Sequence, residues 1–383
     1  MNPEYGVLLV GGDRTHQEAH ALSFAADPRC HLVAVTDVAG ISEERKALCQ
    51  SLAEAHGIPF IAGLEEALAM PGLLIVSLCS AVEDRADVAE TCARSGYAIF
   101  LDKPLAGSLA GGRRIRDAIR NADLPSQMYS FTGLPWAVAA KECVDSGRIG
   151  DLRAVHAETM FAKGPGGVPP PRVDRVETPQ PDRYTFTEAK REFFDLGVYP
   201  IGLCLWLTGK RAIDVTTVTG NYFFGEHARV DVEDFGACVM RLEGDITATA
   251  VAGRIGYYSH PKGGPNRVTL VGTRGTETFD AWTPRIEVYN AEPSPVLLPP
   301  NPNDPMMMWR STAVAGGNPP KRGWDVLANE TNWYPLDIKR FVDCLETGAR
   351  PDITVEEASL SLEVLMAAYQ SAASNSTVAV ERL

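Results

Sequence analysis

The sequence predicts an N-terminal α/β domain with a doubly wound parallel sheet, followed by an α+β domain carrying a large, mostly antiparallel open sheet. Three observations lead there. Over the first third, short apolar runs alternate with amphipathic helical stretches, the pattern of right-handed β-α-β crossovers. Over the remainder, β-branched alternating runs follow one another at turn spacing with few helices between them. A length of 383 residues is enough for two hydrophobic cores. The expected domains are 1–130 and 131–383.

The elements follow in order. Residues 5–10 form a short apolar run that stops at Gly11-Gly12, and a helical pattern continues through Ala26. A β-branched run over 31–36 ends at Asp37. Residues 42–56 read as an amphipathic helix, with Ser42 as its N-cap and Gly57 past its end. A short strand at 60–61, a short helix at 64–70 and an apolar strand at 73–78 come next. A helix over 83–94 is stopped by Gly96, and a strand over 97–101 runs into Asp102-Lys103-Pro104.

In the second domain, 152–161 predicts a strand and 164–181 a loop rich in glycine and proline. Strands are expected over 212–219, 234–242, 246–255, 267–272, 276–281 and 285–289. A second loop over 292–320 is dense in proline, asparagine and glycine. Segments of that length serve as functional covers, dimer arms or mobile tracts. Helices over 336–347 and 355–374 close the chain, and no internal repeat is visible.

Composition narrows the class. Hydrophobic residues at 45% and charged residues at 22% are those of a globular protein. A net charge of −13 argues against nucleic acid as a partner, so Arg113, Arg114 and Arg116 read as one solvated helix face. The eight cysteines occur singly, without a CxxC pair, so reduced, buried thiols are expected and no metal cage. No basic-then-apolar leader opens the sequence, and no apolar run nears the ~20 residues of a membrane span. A cytoplasmic protein with no membrane partner is expected.

Strand, glycine turn, helix, strand and acidic residue is the order of a nucleotide-binding Rossmann fold. The turn here reads Gly11-Gly12-Asp13-Arg14-Thr15-His16 rather than GxGxxG. Thr15-His16-Gln17-Glu18 fits a capping box, which would start the helix right after the turn with free N–H groups toward a phosphate. Arg14 would supply the positive charge that the missing glycines do not. Asp37 ends the second strand near the usual interval of ~20 residues after the turn. A carboxylate there suits the ribose hydroxyls of NAD and repels the 2′-phosphate of NADP, with no Arg or Lys in Val38-Ala39-Gly40 to offset it. The plainer reading of Asp37 is a cap on the turn to Ser42.

Ligands of open parallel sheets bind at the carboxyl ends of the strands, where Lys103 stands, and Pro104 keeps that lysine out of helical backbone. Asp195 and Tyr199 share one face if Asp195-Leu196-Gly197-Val198-Tyr199 is helical. An ammonium, a phenol and a carboxylate meeting in one pocket suit the removal of a proton from a hydroxyl, and beside a nicotinamide they suit hydride transfer. The plainer readings are a loop lysine, an Asp195 that N-caps a helix running to Leu207, and a core aromatic at Tyr199.

These motifs, in this order, resemble the glucose–fructose oxidoreductase/inositol dehydrogenase (Gfo/Idh/MocA) family nearly end to end. The resemblance runs through Ala25-Ala26-Asp27-Pro28, Asp102-Lys103-Pro104-Leu105, Ser146-Gly147-Arg148-Ile149-Gly150, Asp195 to Tyr199, Gly272-Thr273-Arg274-Gly275-Thr276, Phe341-Val342-Asp343 and Ser371-Ala372. It implies that Lys103 binds and polarises the substrate hydroxyl and that Asp195 bonds or orients the substrate. Tyr199, where many members have histidine, would be the general acid/base, its pKa lowered toward the working range by Lys103. It implies NAD, with NADP second, held by Gly11, Gly12, Arg14, Thr15, His16, Asp37, Ser80, Arg85, Asp102 and Lys103.

The chain departs from the family in its glycine turn and in Asp102, which replaces glutamate. Leu78-Cys79-Ser80-Ala81-Val82-Glu83-Asp84-Arg85 stands where Thr-Pro-Asn-x-x-His is usual after the fourth strand. The activity implied is NAD(P)-dependent oxidation or reduction of a sugar, cyclitol or related polyol. Two alternatives stay open: an enzyme that keeps NAD bound and oxidises transiently to allow glycosidic cleavage or elimination, and a non-catalytic nucleotide-binding regulator. A homodimer or homotetramer through the second sheet is implied as well. Loop and strand-edge candidates for substrate contact are Trp136, Arg172, Arg183, Tyr184, Tyr257, His260 and Trp324.

Overall fold

The computed structural model describes residues 4–12, 15–162, 175–186, 189–255, 264–281, 285–290, 321–326 and 334–383. The first layer comprises β1 (Tyr5–Val10), α1 (Gln17–Ala26), β2 (Cys30–Thr36), α2 (Glu43–His56), β3 (Phe60–Ile61), α3 (Leu64–Leu68), β4 (Leu73–Leu78), α4 (Arg85–Arg94), β5 (Ala98–Leu101), α5 (Leu109–Asn121) and β6 (Ser126–Met128). Its strands run in the order β3-β2-β1-β4-β5-β6, every neighbouring pair parallel. That is the expected doubly wound sheet. Buried on both faces, it reads as continuous apolar runs: Val7 to Val10, Ile75, Val76 and Ile99 are all inaccessible. Strand order reverses between β1 and β4, which opens a crevice at their carboxyl ends.

The second layer comprises α6 (Pro135–Asp145), β7 (Leu152–Ala162), α7 (Glu192–Thr208), β8 (Ala212–Gly220), α8 (Gly225–Arg229), β9 (Phe235–Leu242), β10 (Ile246–Ile255), β11 (Asn266–Gly272), β12 (Gly275–Asp280), β13 (Arg285–Asn290), β14 (Lys321–Val326), α9 (Tyr334–Thr347), α10 (Val355–Ser374) and β15 (Val378–Ala379). The strand order is β14-β13-β12-β11-β7-β10-β9-β8-β15, with only β7 and β10 paired in parallel. Period-two alternation sorts its side chains. Val155, Ala157, Cys238, Met240, Ala248, Ala250, Val268 and Leu270 are buried on the face that packs α7 and α10. The other face is open and exposes Val218 and Val239.

Several expectations change in detail. Helix α7 starts at Glu192 with Arg191 as its N-cap, so Asp195 lies in the first turn, its N–H donating to the Arg191 carbonyl at 3.0 Å, and caps nothing. At α1 the cap position is His16, which makes no side-chain cap bond. The Thr15 hydroxyl accepts the Gln17 N–H (3.1 Å) and donates to the Gly12 carbonyl (2.7 Å), a local turn in place of the expected box. Helix α9 crosses back from the second layer and packs on α1. Among the described residues no helix is long and apolar enough to cross a membrane, and all eight cysteines are free.

Candidate functional site

The loop after β5 is fixed beside β4 by the Asp102 N–H, which donates to the Leu78 carbonyl at 2.9 Å. From it Lys103, almost fully buried, reaches the first turn of α7. Its Nζ donates to the Asp195 carbonyl oxygen at 2.6 Å and to Asp195 Oδ1 at 2.9 Å. One turn further along α7, the Tyr199 ring centre is 5.1 Å from the same Nζ. The three residues picked from the sequence are brought together.

They are not equivalent, however. Lys103 and Asp195 line a cavity of about 430 Å³ at the carboxyl ends of the parallel strands, shared with Thr15, His16, Arg45, Ser80, Arg85, Asp102 and Lys190. Tyr199 lies behind them, its ring stacked on Phe131 (4.1 Å between centres, 2° between planes) and bordering a narrow void of about 10 Å³.

Electrostatics separates them again. Burial opposes charge on Asp195, yet Lys103 and Lys190 hold its carboxyl well below the usual range. Burial pushes Lys103 down, against the pull of Asp195 and Asp102. The expectation that Lys103 lowers the Tyr199 pKa is corrected. Burial pushes that phenol well above its ordinary value, and Tyr129, Tyr334, Asp195 and Asp102 act in the same direction. The ammonium meets the ring, and desolvation of a phenolate in this aromatic wall dominates.

The glycine turn is held by means the sequence does not advertise. Gly11 has φ +107°, and a Cβ there would come within 2.9 Å of the Cys79 carbonyl oxygen. A Cβ on Gly12 would strike the backbone of α2, 2.5 Å from Cys49 N. Gln17, fully buried, then spans the switch point. Its Nε2 donates to the Ser77 carbonyl (2.8 Å), and its Oε1 accepts from Ser77 Oγ (2.8 Å) and Cys79 Sγ (3.1 Å). A side-chain amide thus ties the start of α1 to the end of β4, where a regular fingerprint has glycine packing. Asp13 and Arg14 lie outside the described residues.

Asp37 ends β2 as expected, but not alone. Its Oδ1 accepts the Val38 N–H (2.8 Å) and its Oδ2 accepts Arg45 Nε (2.7 Å). Arg45 lines the cavity, and its Nη2 is buried without a partner among the described residues. Ser80 Oγ is likewise buried and unpartnered at the cavity wall. Arg85, expected among the cofactor-binding residues, lines the cavity and clamps two loops: its guanidinium donates to the carbonyls of Ser80 (2.8 Å), Asp102 (2.7 Å) and Pro104. Positive backbone φ at Gly11, two orphaned polar groups and the open crevice fit a dinucleotide laid across the strand ends.

Of the substrate candidates, Tyr184 borders the cavity but is buried, its hydroxyl donating to the Gly107 carbonyl at 2.7 Å. Arg183 stacks on Phe186, and Trp136 is buried in α6. Arg172, Tyr257, His260 and the Trp324 side chain lie outside the described residues. Sequence reading missed Lys190 and Arg191. Both line the cavity: Arg191 bonds Glu177 (2.9 Å) and Glu233 (3.2 Å), and half-exposed Lys190 stands 4.0 Å from Asp195 Oδ1. His20, Cys79 and Asp102 bring ligand-type atoms within 4.8 Å of one another. Each is already engaged: Asp102 with His16 at 2.8 Å, and Cys79 with Gln17 and with His20 Nδ1 at 3.2 Å.

Two family models match the chain. One is described as an oxidoreductase family, NAD-binding Rossmann fold, over residues 5–129, and the other as the GFO/IDH/MocA C-terminal domain, over residues 137–277. The chain is 23% identical to inositol 2-dehydrogenase of Rhizobium meliloti (strain 1021), the match covering 99% of this chain and 100% of that protein. It is 28% identical to dTDP-3,4-didehydro-2,6-dideoxy-alpha-D-glucose 3-reductase of Streptomyces violaceoruber over 188 residues, which is 49% of each chain. Among solved structures, a levoglucosan dehydrogenase in complex with NADH and L-sorbose superposes with a TM-score of 0.75 at 16% identity, over 99% of both chains.

Proposed function

The chain belongs to the Gfo/Idh/MocA oxidoreductase family, with an NAD-binding Rossmann domain, and from that premise we propose that it transfers a hydride between nicotinamide and a hydroxyl-bearing carbon of a sugar, cyclitol or related polyol. The observation that carries the reading is Lys103 Nζ, held by Asp195 on the wall of a cavity at the switch point.

Bound nicotinamide supplies the hydride acceptor. Residues 1–130 would hold the nucleotide, through Gly11, Gly12, Thr15 and His16 at the turn, Asp37 after β2 with Arg45 of α2, and Ser80 and Asp102 after β4 and β5. Residues 131–383 supply Asp195 and Tyr199. Two N–H groups of Lys103 are committed to Asp195, which aims the third at the substrate oxygen and stabilises negative charge there as the proton leaves. Asp195, ionised, accepts from a neighbouring substrate hydroxyl. Tyr199 stays a neutral phenol, a hydrogen-bond donor that acts as an acid when the reaction runs toward the alcohol.

The protein is proposed to be cytoplasmic and to pair through the open face of its nine-stranded sheet, where Val218, Val239 and Ile213 are exposed. Val239→Arg is expected to shift the mass in solution toward a monomer. The activity is tested with NAD and a panel of polyols and sugars, following the near-ultraviolet absorbance of reduced nicotinamide. Stoichiometric accumulation is the expected result. Product without net reduction would point to a redox-neutral reaction instead.

A further inference from the structure

Among the described residues, five cations line the cavity: Arg45, Arg85, Lys103, Lys190 and Arg191. Four of them are matched inside the chain. Arg45 meets Asp37 at 2.7 Å, and Lys103 meets Asp195 at 2.9 Å. Arg191 is shared between Glu177 and Glu233, and Arg85, besides its three carbonyls, has Asp102 at 3.8 Å. Lys190 differs. Its only carboxylate within ion-pair reach among the described residues is Asp195, 4.0 Å away and already bonded by Lys103 through the same oxygen. Glu83, the remaining carboxylate of the wall, accepts the Tyr184 N–H at 3.1 Å.

The backbone sets where Lys190 stands. It pairs with Thr185 in an isolated antiparallel bridge. The Phe186 N–H donates to the Ala189 carbonyl at 2.8 Å, and the Arg191 N–H donates to the Tyr184 carbonyl at 2.9 Å. Arg191, buried, anchors this strap, its Nε donating to the Arg183 carbonyl at 3.1 Å. The strap carries Lys190 to the wall beside Asp195.

An ammonium next to a carboxylate that another ammonium has neutralised carries charge with nothing in the chain to meet it. Half-exposed, it costs the empty protein little, because water solvates it. It becomes selective when a ligand displaces that water and brings a negative group of its own. Lys103, Asp195 and Lys190 together leave this end of the cavity one positive charge in surplus. A neutral polyol leaves that charge unmatched.

We propose that Lys190 selects a substrate with an anionic substituent, a carboxylate or a phosphate monoester, close to the reacting carbon. The substrate class is then a sugar acid or a polyol phosphate rather than a neutral polyol. The assignment rests on the hydride-transfer reading above and narrows it. With the reacting oxygen on Lys103 Nζ and a neighbouring hydroxyl on Asp195, Lys190 meets the anion beside Asp195. A single ammonium has no fork for bidentate capture, so it fixes the sign of the group more than its shape.

Two matched pairs test this: D-gluconate against D-glucitol, and myo-inositol 1-phosphate against myo-inositol. Titration of the protein–NADH complex needs no turnover. At least one anion should bind about 10- to 100-fold more tightly than its neutral partner, the effect of one charge-assisted contact. Which pair shows the preference separates carboxylate from phosphate. Lys190→Met should remove it and Lys190→Arg should keep most of it; a half-exposed side chain can be exchanged without loss of the fold. Added salt should weaken the anion more than the neutral partner. Anions bound no more tightly than their partners by the wild type would overturn the proposal. So would a preference that survives Lys190→Met: with both members weakened equally, Lys190 only helps to hold Asp195 ionised, and with NADH weakened instead, it is a nucleotide contact. If the preferred anion binds in this way yet reduces no nicotinamide with NAD, the hydride-transfer reading fails and the anion site stands.

Discussion

Arg45 Nε donates to Asp37 Oδ2 at 2.7 Å, joining the first turn of α2 to the carboxylate that ends β2. The charge expected to choose between NAD and NADP is thereby partly neutralised from within the chain. Nη2 of the same arginine, buried without a partner among the described residues, can meet a ribose hydroxyl or a 2′-phosphate. NAD should give the larger thermal shift, but NADP should still bind. Arg45→Ala should weaken NADP about tenfold more than NAD, the loss of one charge-assisted contact. Equal losses, read by nucleotide fluorescence titration, would detach Arg45 from cofactor choice.

Lys103 and Asp195 allow stability and activity to be separated. Removing one partner of a buried ion pair strands the other, at a cost of about 3 kcal/mol. Lys103→Met should therefore lower Tm, whereas Lys103→Met with Asp195→Asn should recover most of it. Both should lose about 10²–10⁴ in kcat. Recovery of activity along with stability in the double variant would leave the lysine a structural role only.

Tyr199→Phe should lower kcat about 10²- to 10³-fold, the loss of one donor to the reacting oxygen. Its pH profile should keep the wild-type shape, because a phenol pushed well above its ordinary value does not titrate in the working range. A lost limb in Tyr199→Phe would show that the phenol titrates in the working range.

How much the sequence reveals depends on how local the cause is. β10 and α10 occupy the expected 246–255 and 355–374 because strong periodicity marks both ends. Lys103 was legible because it stands at the end of a strand, where topology delivers it to the crevice, and Asp195 because it opens an apolar helical run. β6 has only three residues, too few to show a period. Arg45 stands on the next element, out of reach of a search among the residues adjoining Asp37. Gln17 looks like any polar helix residue until burial turns its amide onto Ser77. The direction of the Tyr199 shift depends on the Phe131 stack and the surrounding tyrosines. No spacing rule contains those contacts.

Asp337 links this site to a pH dependence of stability. It lies on α9, buried, with Gln127 Nε2 (2.9 Å) and the Ser130 N–H (3.2 Å) donating to it, and so fastens α9 to the segment carrying Tyr129 and Phe131. Burial raises its pKa to about 7, although both donors oppose the shift. A carboxyl raised in the folded state binds a proton that the unfolded chain has already released between about pH 4 and 7. Its contribution is therefore fully present below the unfolded pKa and is lost as pH rises through 7. Glu233, raised to about 7 by burial and by Glu177, acts in the same sense. His20 acts in the opposite sense, since a group held neutral down to about 3 makes stability rise with pH over 3 to 6.5. The informative quantity is therefore the difference between wild type and Asp337→Asn. The variant should lose part of the fall in Tm between pH 5 and 8, by an amount that grows toward the acid end. A difference independent of pH would mean that Asp337 is ionised throughout, and that α9 is held onto the Tyr129 segment by a charged carboxylate.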